Sequence, residues 1–287
     1  MDIIIELLKY IFLGIVQGIT EVLPISSSAH VTVIQELLLT DIDNSDFFLV
    51  ILNFGSMIAV VYFLRKSICC YIEDFFKYTI KKNREESVVK SVRYLRNLFF
   101  GLLPMILVGY YLGVLFTTID NRNPILIIGV GALMTATILY LIRNETNQHV
   151  NQDLTVRDSL FIGVLQLISI LPGLSRLAVV TAAGVNRKLS MDSALKFAFL
   201  MFIPISIGSI LQQFIQYRDD LSGMMTNFDF TNYLHYIYYF VGFTVSIFAT
   251  YFALKWVFVL FRRGKLEFFY IYNLVFGLIA LLIGISS

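Results

Sequence analysis

The chain has 287 residues, of which 57% are hydrophobic and 15% charged, and a formal net charge of +2. A soluble protein of that composition would need polar helix faces at regular spacing, which the long apolar runs lack, so the composition points to a polytopic membrane protein. Two adjacent cysteines, Cys69 and Cys70, form neither a zinc or redox spacing nor a disulfide framework.

Residues 1–20 read as an apolar helix. No basic segment precedes it, and Asp2 and Glu6 stand where one would be, so it does not read as a cleavable leader. Glu21, Pro24 and the serines Ser26, Ser27 and Ser28 end it. The next apolar piece, Val31–Leu39, is too short to cross a hydrocarbon core about 30 Å thick and contains Gln35 and Glu36. The expectation is a helix that enters, breaks and returns as a re-entrant pair. After an acidic link over Thr40–Asp46, crossings are expected near Phe47–Leu64, Leu95–Phe116 and Pro124–Ile142. The polar stretch Arg65–Arg96 reads as a solvated cytoplasmic linker with an amphipathic helix on anionic lipid; a regulatory docking site is the other reading.

The order then repeats. Ser159–Leu171 enters, Pro172-Gly173 breaks it, and Leu174–Val185 is again too short to cross. Crossings are expected near Asp192–Phe214, Tyr233–Phe261 and Glu267–Ile285. The two entering segments share Gly-x-x-Gln, at Gly14/Gln17 and Gly163/Gln166. The expected fold is therefore all-α, two repeats over residues 1–143 and 144–287 in one membrane domain, each a re-entrant pair plus three transmembrane helices. Three crossings are odd, so the second repeat lies upside down relative to the first, an inverted topology whose site tends to sit at the repeat interface. Segments 65–96, 143–158, 186–190 and 262–265 hold 16 of the 22 Lys and Arg residues, whereas the opposite links hold Arg122 and Arg218. The positive-inside rule then places both termini outside, and the two broken helices enter from opposite sides with their tips able to meet.

Glu21 is the strongest single signal, because a carboxylate at membrane depth costs roughly 2.5–3.5 kcal/mol and ordinarily faces a polar cavity with a partner; a shallower position is the alternative. Arg176 is its counterpart, always charged and with a planar fork suited to phosphate oxygens; the alternative, a snorkelling arginine, fits a predicted tip less well. The serines suit N-caps of the returning limb, and one of them suits a nucleophile or phosphate ligand. His30 follows closely enough to serve as base, acid or phosphate contact, or as a structural histidine. His149 and His235 fall in or near loops. Pro-Gly-x-Ser-Arg at 172–176 places free N–H groups of a helix start beside a guanidinium, which suits an anion. Carboxylate, arginine, serines and histidine together fit phosphate chemistry, with a divalent cation bridging Glu21 to substrate. No His/Cys cluster suggests zinc, no Gly-rich nucleotide loop is present, and nothing points to nucleic acid.

These residues resemble the undecaprenyl-diphosphate phosphatase family, the bacitracin-resistance proteins. Its first motif matches Gln17, Glu21, Pro24, Ile25, Ser26, Ser27 and His30, and its second matches Pro172, Gly173, Ser175 and Arg176. Ile51–Tyr62 and Phe197–Gly208 are similar to further family segments. The resemblance implies two inverted repeats in a bacterial plasma membrane and removal of the terminal phosphate of a polyprenyl diphosphate on the extracytoplasmic side, with Mg²⁺ or Ca²⁺. The product is the monophosphate carrier of cell-wall precursors. By the same resemblance Glu21 binds metal or acts in acid–base chemistry, supported by Gln17. Ser27 and His30 serve as nucleophile and partner or as phosphate ligands, and Ser26, Gly173, Ser175 and Arg176 hold the diphosphate. The chain departs from the family where Ser-Gly-Ala-Thr becomes Leu177, Ala178, Val179 and Val180. Thr181 would point about 100° further around a helix. Ala29 stands for a glycine, Ser28 for a threonine and Asn53 for a glutamine, and Ala29 matters only if its φ must be positive.

The expected function is thus a membrane phosphatase on polyprenyl diphosphate, with membrane lipid as its other partner and a homodimer left open. A polyprenyl-phosphate carrier or flippase without hydrolysis is the alternative, suited to the altered second motif. A phosphatase for a shorter prenyl diphosphate or a phosphatidylglycerophosphate-like lipid is the third reading.

Overall fold

The computed structural model describes residues 2–38, 46–120, 123–145, 154–216 and 230–286. The link at 40–45, Arg122, His149, Arg218 and the side chain of His235 lie outside the described residues. Among the described residues there are ten α-helices and no strand. They are α1 Asp2–Val22, α2 Ser27–Leu38, α3 Asp46–Thr79, α4 Glu86–Asp120 and α5 Pro124–Leu141 in the first half. In the second half they are α6 Val156–Gln166, α7 Arg176–Asn186, α8 Met191–Gln216, α9 Phe230–Arg262 and α10 Glu267–Ser286. A short 3₁₀ turn, Leu167–Ile170, follows α6.

Seven of these helices, α1, α3, α4, α5, α8, α9 and α10, are long and apolar enough to cross a membrane. Large apolar side chains stand exposed along them, among them Ile4, Leu8, Ile106, Phe252 and Leu282, as a lipid-facing surface requires. The six expected crossings lie within six of these helices. The seventh, α1, is expected from its sequence only to enter, yet its apolar stretch runs 20 residues, Ile3–Val22. The helices α2, α6 and α7 have 12, 11 and 11 residues, too few to cross.

The polar stretch Arg65–Arg96 differs from the expected linker. No glycine or proline interrupts it, and α3 and α4 run on through it to 34 and 35 residues. At 1.5 Å per residue each is about 50 Å long, well beyond the hydrocarbon core. The two extensions form a helical hairpin. Tyr71 stacks on Tyr94 with ring centroids 5.0 Å apart, and Ser91 donates to Asp74 at 2.6 Å. Ile72, Phe75, Phe76 and Ile80 are exposed at the spacing of one helix face, so the amphipathic pattern is present as the end of a crossing helix.

Small residues let the long helices cross closely, as membrane packing favours. α1 lies along α9, where a Cβ on Gly14 would sit 2.6 Å from the carbonyl oxygen of Gly242. α6 lies along α4, where a Cβ on Gly163 would sit 2.1 Å from that of Gly101. The two glycines of the repeated Gly-x-x-Gln therefore both mark a crossing with a helix of the other half. α5 packs along α10. Polar side chains bond across helices, Thr250 of α9 donating to the Gly18 carbonyl and to Ser56, each at 3.0 Å. The largest buried core gathers α7, α8 and the end of α9, with Phe197, Phe199 and Phe261 almost wholly enclosed.

Candidate active site

The breaks after α1 and before α7 face one another across a cavity of about 90 Å³. Thr20, Glu21, Ser26, Ser27 and Ser28 line it from one side, and Ser169, Ser175, Arg176, Leu177 and Val180 from the other. Ala198, Phe199 and Phe202 of α8 close the wall. The volume admits a few water molecules or one small anion.

Pro24 stops α1, because proline has no N–H to donate and pushes the residue before it out of the helical region. Ser26 then takes φ 59°, a left-handed conformation that costs a non-glycine residue about 1–2 kcal/mol. Two braces hold it. The His30 ring Nδ1 lies 2.8 Å from the Ser26 carbonyl oxygen, and Asn273 of α10 donates to the Pro24 carbonyl at 3.0 Å. The positive φ falls on Ser26 and not on Ala29, which lies inside α2, so alanine there meets no backbone penalty.

Glu21 is the hub of the first side. Ser27 Oγ donates to its Oε2 at 2.5 Å, and Gln17 Nε2 donates to the same oxygen at 2.8 Å. Ser26 and Ser28 hydroxyls are 3.4 Å apart. His30 belongs to the same turn but lies outside the cavity lining. Its Nδ1 carries the proton given to the Ser26 carbonyl, so Nε2 accepts from the Tyr272 hydroxyl at 2.6 Å. Its ring stacks on Phe276 at 4.4 Å.

On the second side Gly173 has φ +84°, and a Cβ there would sit 2.2 Å from the Ile128 carbonyl oxygen. Only glycine combines that backbone with that approach. Thr135 of α5 braces the turn, accepting from the Ser175 N–H at 2.9 Å and donating to the Gly131 carbonyl at 3.0 Å and the Gly173 carbonyl at 3.3 Å. Ser175 caps α7, its Oγ accepting from the Ala178 N–H at 3.3 Å. Arg176 is half-buried, and its Nε is buried with no hydrogen-bond partner among the described residues. Leu177 and Val180 line the cavity; Thr181 is fully buried away from it, its hydroxyl unpartnered among the described residues.

The structure thus brings Glu21, Ser26, Ser27, Ser175 and Arg176 to one cavity, holds Gln17 behind Glu21, leaves Gly173 as the bend, and sets His30 one layer back. Tyr272, Asn273, Thr135 and Ser169 are additions that no local pattern marks. Among the described residues no group of three His, Cys, Asp or Glu side chains stands where a metal could be held by protein alone.

Comparison with known proteins decides the family. Residues 10–279 match the family described as bacitracin resistance protein BacA. The chain belongs to that family. It is 29% identical over 276 residues to the undecaprenyl-diphosphatase of Oceanobacillus iheyensis, covering 96% of each chain. It is 30% identical over 286 residues to undecaprenyl-diphosphatase 1 of Bacillus licheniformis, covering 98% of this chain and 99% of that one. Undecaprenyl-diphosphatase 3 of Bacillus anthracis is 30% identical over 278 residues, covering 96% and 97%.

Proposed function

We propose that this member of the BacA family is an undecaprenyl-diphosphatase of a bacterial plasma membrane, removing the terminal phosphate to leave the monophosphate carrier lipid. The observation that carries this reading is the Ser27–Glu21 hydrogen bond, 2.5 Å long, in a cavity that Arg176 lines from the far side. Ser27 Oγ attacks the terminal phosphorus while Glu21 takes its proton. A bond forms from Ser27 oxygen to phosphorus, the bridging P–O bond breaks, and the lipid monophosphate leaves. Glu21 gives that proton up to the departing phosphate or to solvent. Water then attacks the phosphoserine; Glu21 takes a proton from it and returns it to Ser27 Oγ as the Ser27 oxygen–phosphorus bond breaks, and inorganic phosphate leaves. Arg176 and the starts of α2 and α7 meet the charge that builds on the phosphoryl oxygens. His30 and Tyr272 hold Ser26, and through it the serine run, in the attacking posture.

The donor set suits Mg²⁺ or Ca²⁺. Such ions take oxygen ligands, and Mg²⁺ commonly uses one or two carboxylates plus substrate phosphates rather than a protein cage. Glu21 Oε2 is engaged by Ser27 and Gln17, so its Oε1, the cavity serines and the substrate would hold the ion. When bound it supplies positive charge against the diphosphate.

On this reading α1/α2 and α6/α7 are re-entrant pairs of two inverted repeats, with both termini outside and the cavity reached from the extracytoplasmic side. The lining of one cavity by both breaks supports it, as do the paired crossings Gly14/Gly242 and Gly163/Gly101. The distribution of basic residues supports this orientation. The comparisons favour hydrolysis over the carrier reading.

The test is phosphate release from undecaprenyl diphosphate by detergent-purified protein with Mg²⁺, with Ca²⁺ and with EDTA. Cation-dependent release that Glu21→Gln abolishes is expected. No release from folded protein, or full activity in Glu21→Gln, overturns the assignment.

A further inference from the structure

A second hollow, about 860 Å³, lies between α4 and α8 and takes no part in the chemistry just described. Leu102, Met105 and Ile106 face it from α4, and Pro204, Ile205 and Ser209 from α8. We propose that this groove receives the polyprenyl chain of the substrate as it leaves the diphosphate, so that the chain runs out to lipid between α4 and α8. The proposal rests on the diphosphatase reading and names where the lipid part of that substrate lies.

One observation joins the groove to the cavity and a second shows room within it. Ala198 and Phe202 of α8 line the cavity, and Ile205, Ser209 and Gln212 of the same helix line the groove. The steps between these five positions are four, three, four and three residues, which places them on one face of the helix. One continuous stripe of α8 therefore passes from the phosphate site into the groove. Second, two glycines leave open space along the groove, although a Cβ on the third, Gly109, would meet Met105 Sδ at 2.6 Å. A Cβ built on Gly113 or on Gly208 meets nothing within 4 Å, and both residues line the hollow.

The substrate's chemistry requires such a path. A diphosphate held between Glu21 and Arg176 draws its first isoprene units into the protein, away from the lipid they favour. Lipid tails are at least as apolar as this groove, so the groove adds little affinity by itself. Its effect is to let the head group reach the cavity while the chain stays in an apolar medium.

Gly208→Leu and Gly113→Leu test this, because each fills the groove without a Cβ clash and replaces a poor helix former. Phosphate release would be measured on undecaprenyl diphosphate and on farnesyl diphosphate for the wild type and both variants. The ratio of kcat/KM for the long chain to that for the short chain should fall about tenfold or more. A ratio equal to wild type overturns the proposal, whether both activities persist or both fall together. As a readout independent of turnover, a polyprenyl monophosphate with a photoreactive chain should label residues 204–215 in the wild type and lose that label in Gly208→Leu. Labelling elsewhere, or equal labelling by a photoreactive phospholipid, assigns the groove to ordinary lipid and overturns the proposal. Absence of phosphate release from both diphosphates by the wild type, with the groove still labelled, would instead remove the diphosphatase reading alone.

Discussion

In the break after α1, a carboxylate and three serines enter the cavity already bonded to one another or to near neighbours. In the break before α7, the cavity receives a helix start and one guanidinium whose Nε has no protein partner among the described residues. The repeated glutamines show the contrast at one position. Gln17 donates to Glu21, four residues on. Four residues beyond Gln166 stands Ile170, and the Gln166 amide is fully buried with neither end bonded among the described residues, a state that costs about 1–3 kcal/mol. On the proposed function the first break would react and the second receive an anion. Each is braced by a helix of the other half, the first through Asn273 of α10 and the second through Thr135 of α5.

The division of labour makes its largest prediction at Ser27 and Arg176. On the proposed mechanism Ser27→Ala removes the nucleophile and should lower kcat by roughly 10⁴-fold or more. On the same mechanism Arg176→Ala removes charge stabilisation and should cost about 10²–10³-fold. Arg176→Lys should restore little, since a point charge does not reproduce the planar fork. Single-turnover kinetics separate the two roles, because the Arg176 variant should still form phosphoserine, slowly, whereas Ser27→Ala should form none. Phosphoenzyme in Ser27→Ala would reassign the nucleophile.

The next prediction swaps the two bends. Gly173→Ala places a Cβ at φ +84° and 2.2 Å from the Ile128 carbonyl oxygen, and should destabilise the protein by about 3 kcal/mol through strain and overpacking. Ser26→Gly relieves a left-handed serine and should leave thermal stability equal or higher by about 1 kcal/mol. Equal melting temperatures for Gly173→Ala and wild type in detergent would mean that the second turn is slack, and the comparison of the two bends would fail.

Much of the site was legible because its chemistry is local. Glu21 stands out as a charge in an apolar run, Ser27 follows six residues later, and Pro172-Gly173 marks the second bend within four residues of Arg176. The braces were not legible. Asn273 acts on Pro24 across 249 residues and Tyr272 on His30 across 242, and nothing in their neighbourhoods distinguishes them from other residues of a crossing helix. His30 was legible as part of the turn, but spacing along a helix cannot say that its ring turns back to the carbonyl four residues earlier. The α3–α4 hairpin was hidden by hydropathy, which falls at Arg65 although no helix breaker follows; the unbroken sequence was the better guide.

A smaller effect tests the altered wall of the receiving side. Leu177 and Val180 line the cavity where hydroxyls would add donors to a phosphate. Val180→Thr should lower KM about two- to tenfold, the worth of one added neutral hydrogen bond, with kcat little changed. An unchanged KM would mean that the bound phosphate does not reach that wall and is held by Arg176 and the first break alone.

The smallest effect concerns the open end of the α6/α7 pair. Thr155 and Asp158 form a capping box at the start of α6, and Arg187 at the end of α7 reaches Asp158 at 2.7 Å. Burial pushes the Asp158 carboxyl up, but hydrogen bonds from Thr155 and the guanidinium of Arg187 outweigh it and hold the group below the ordinary carboxylate range. A folded value below the unfolded one, near 3.9, stabilises the protein above that unfolded value. The contribution is lost as pH falls through the lowered folded value. The pair is partly exposed, so its worth is at most about 1 kcal/mol. Asp158→Asn should therefore melt roughly 2 °C below wild type at pH 7, with the gap closing as the pH falls through the lowered folded value. A gap that persists in acid would trace the loss to packing at the cap, and the latch between α6 and α7 would then owe nothing to charge.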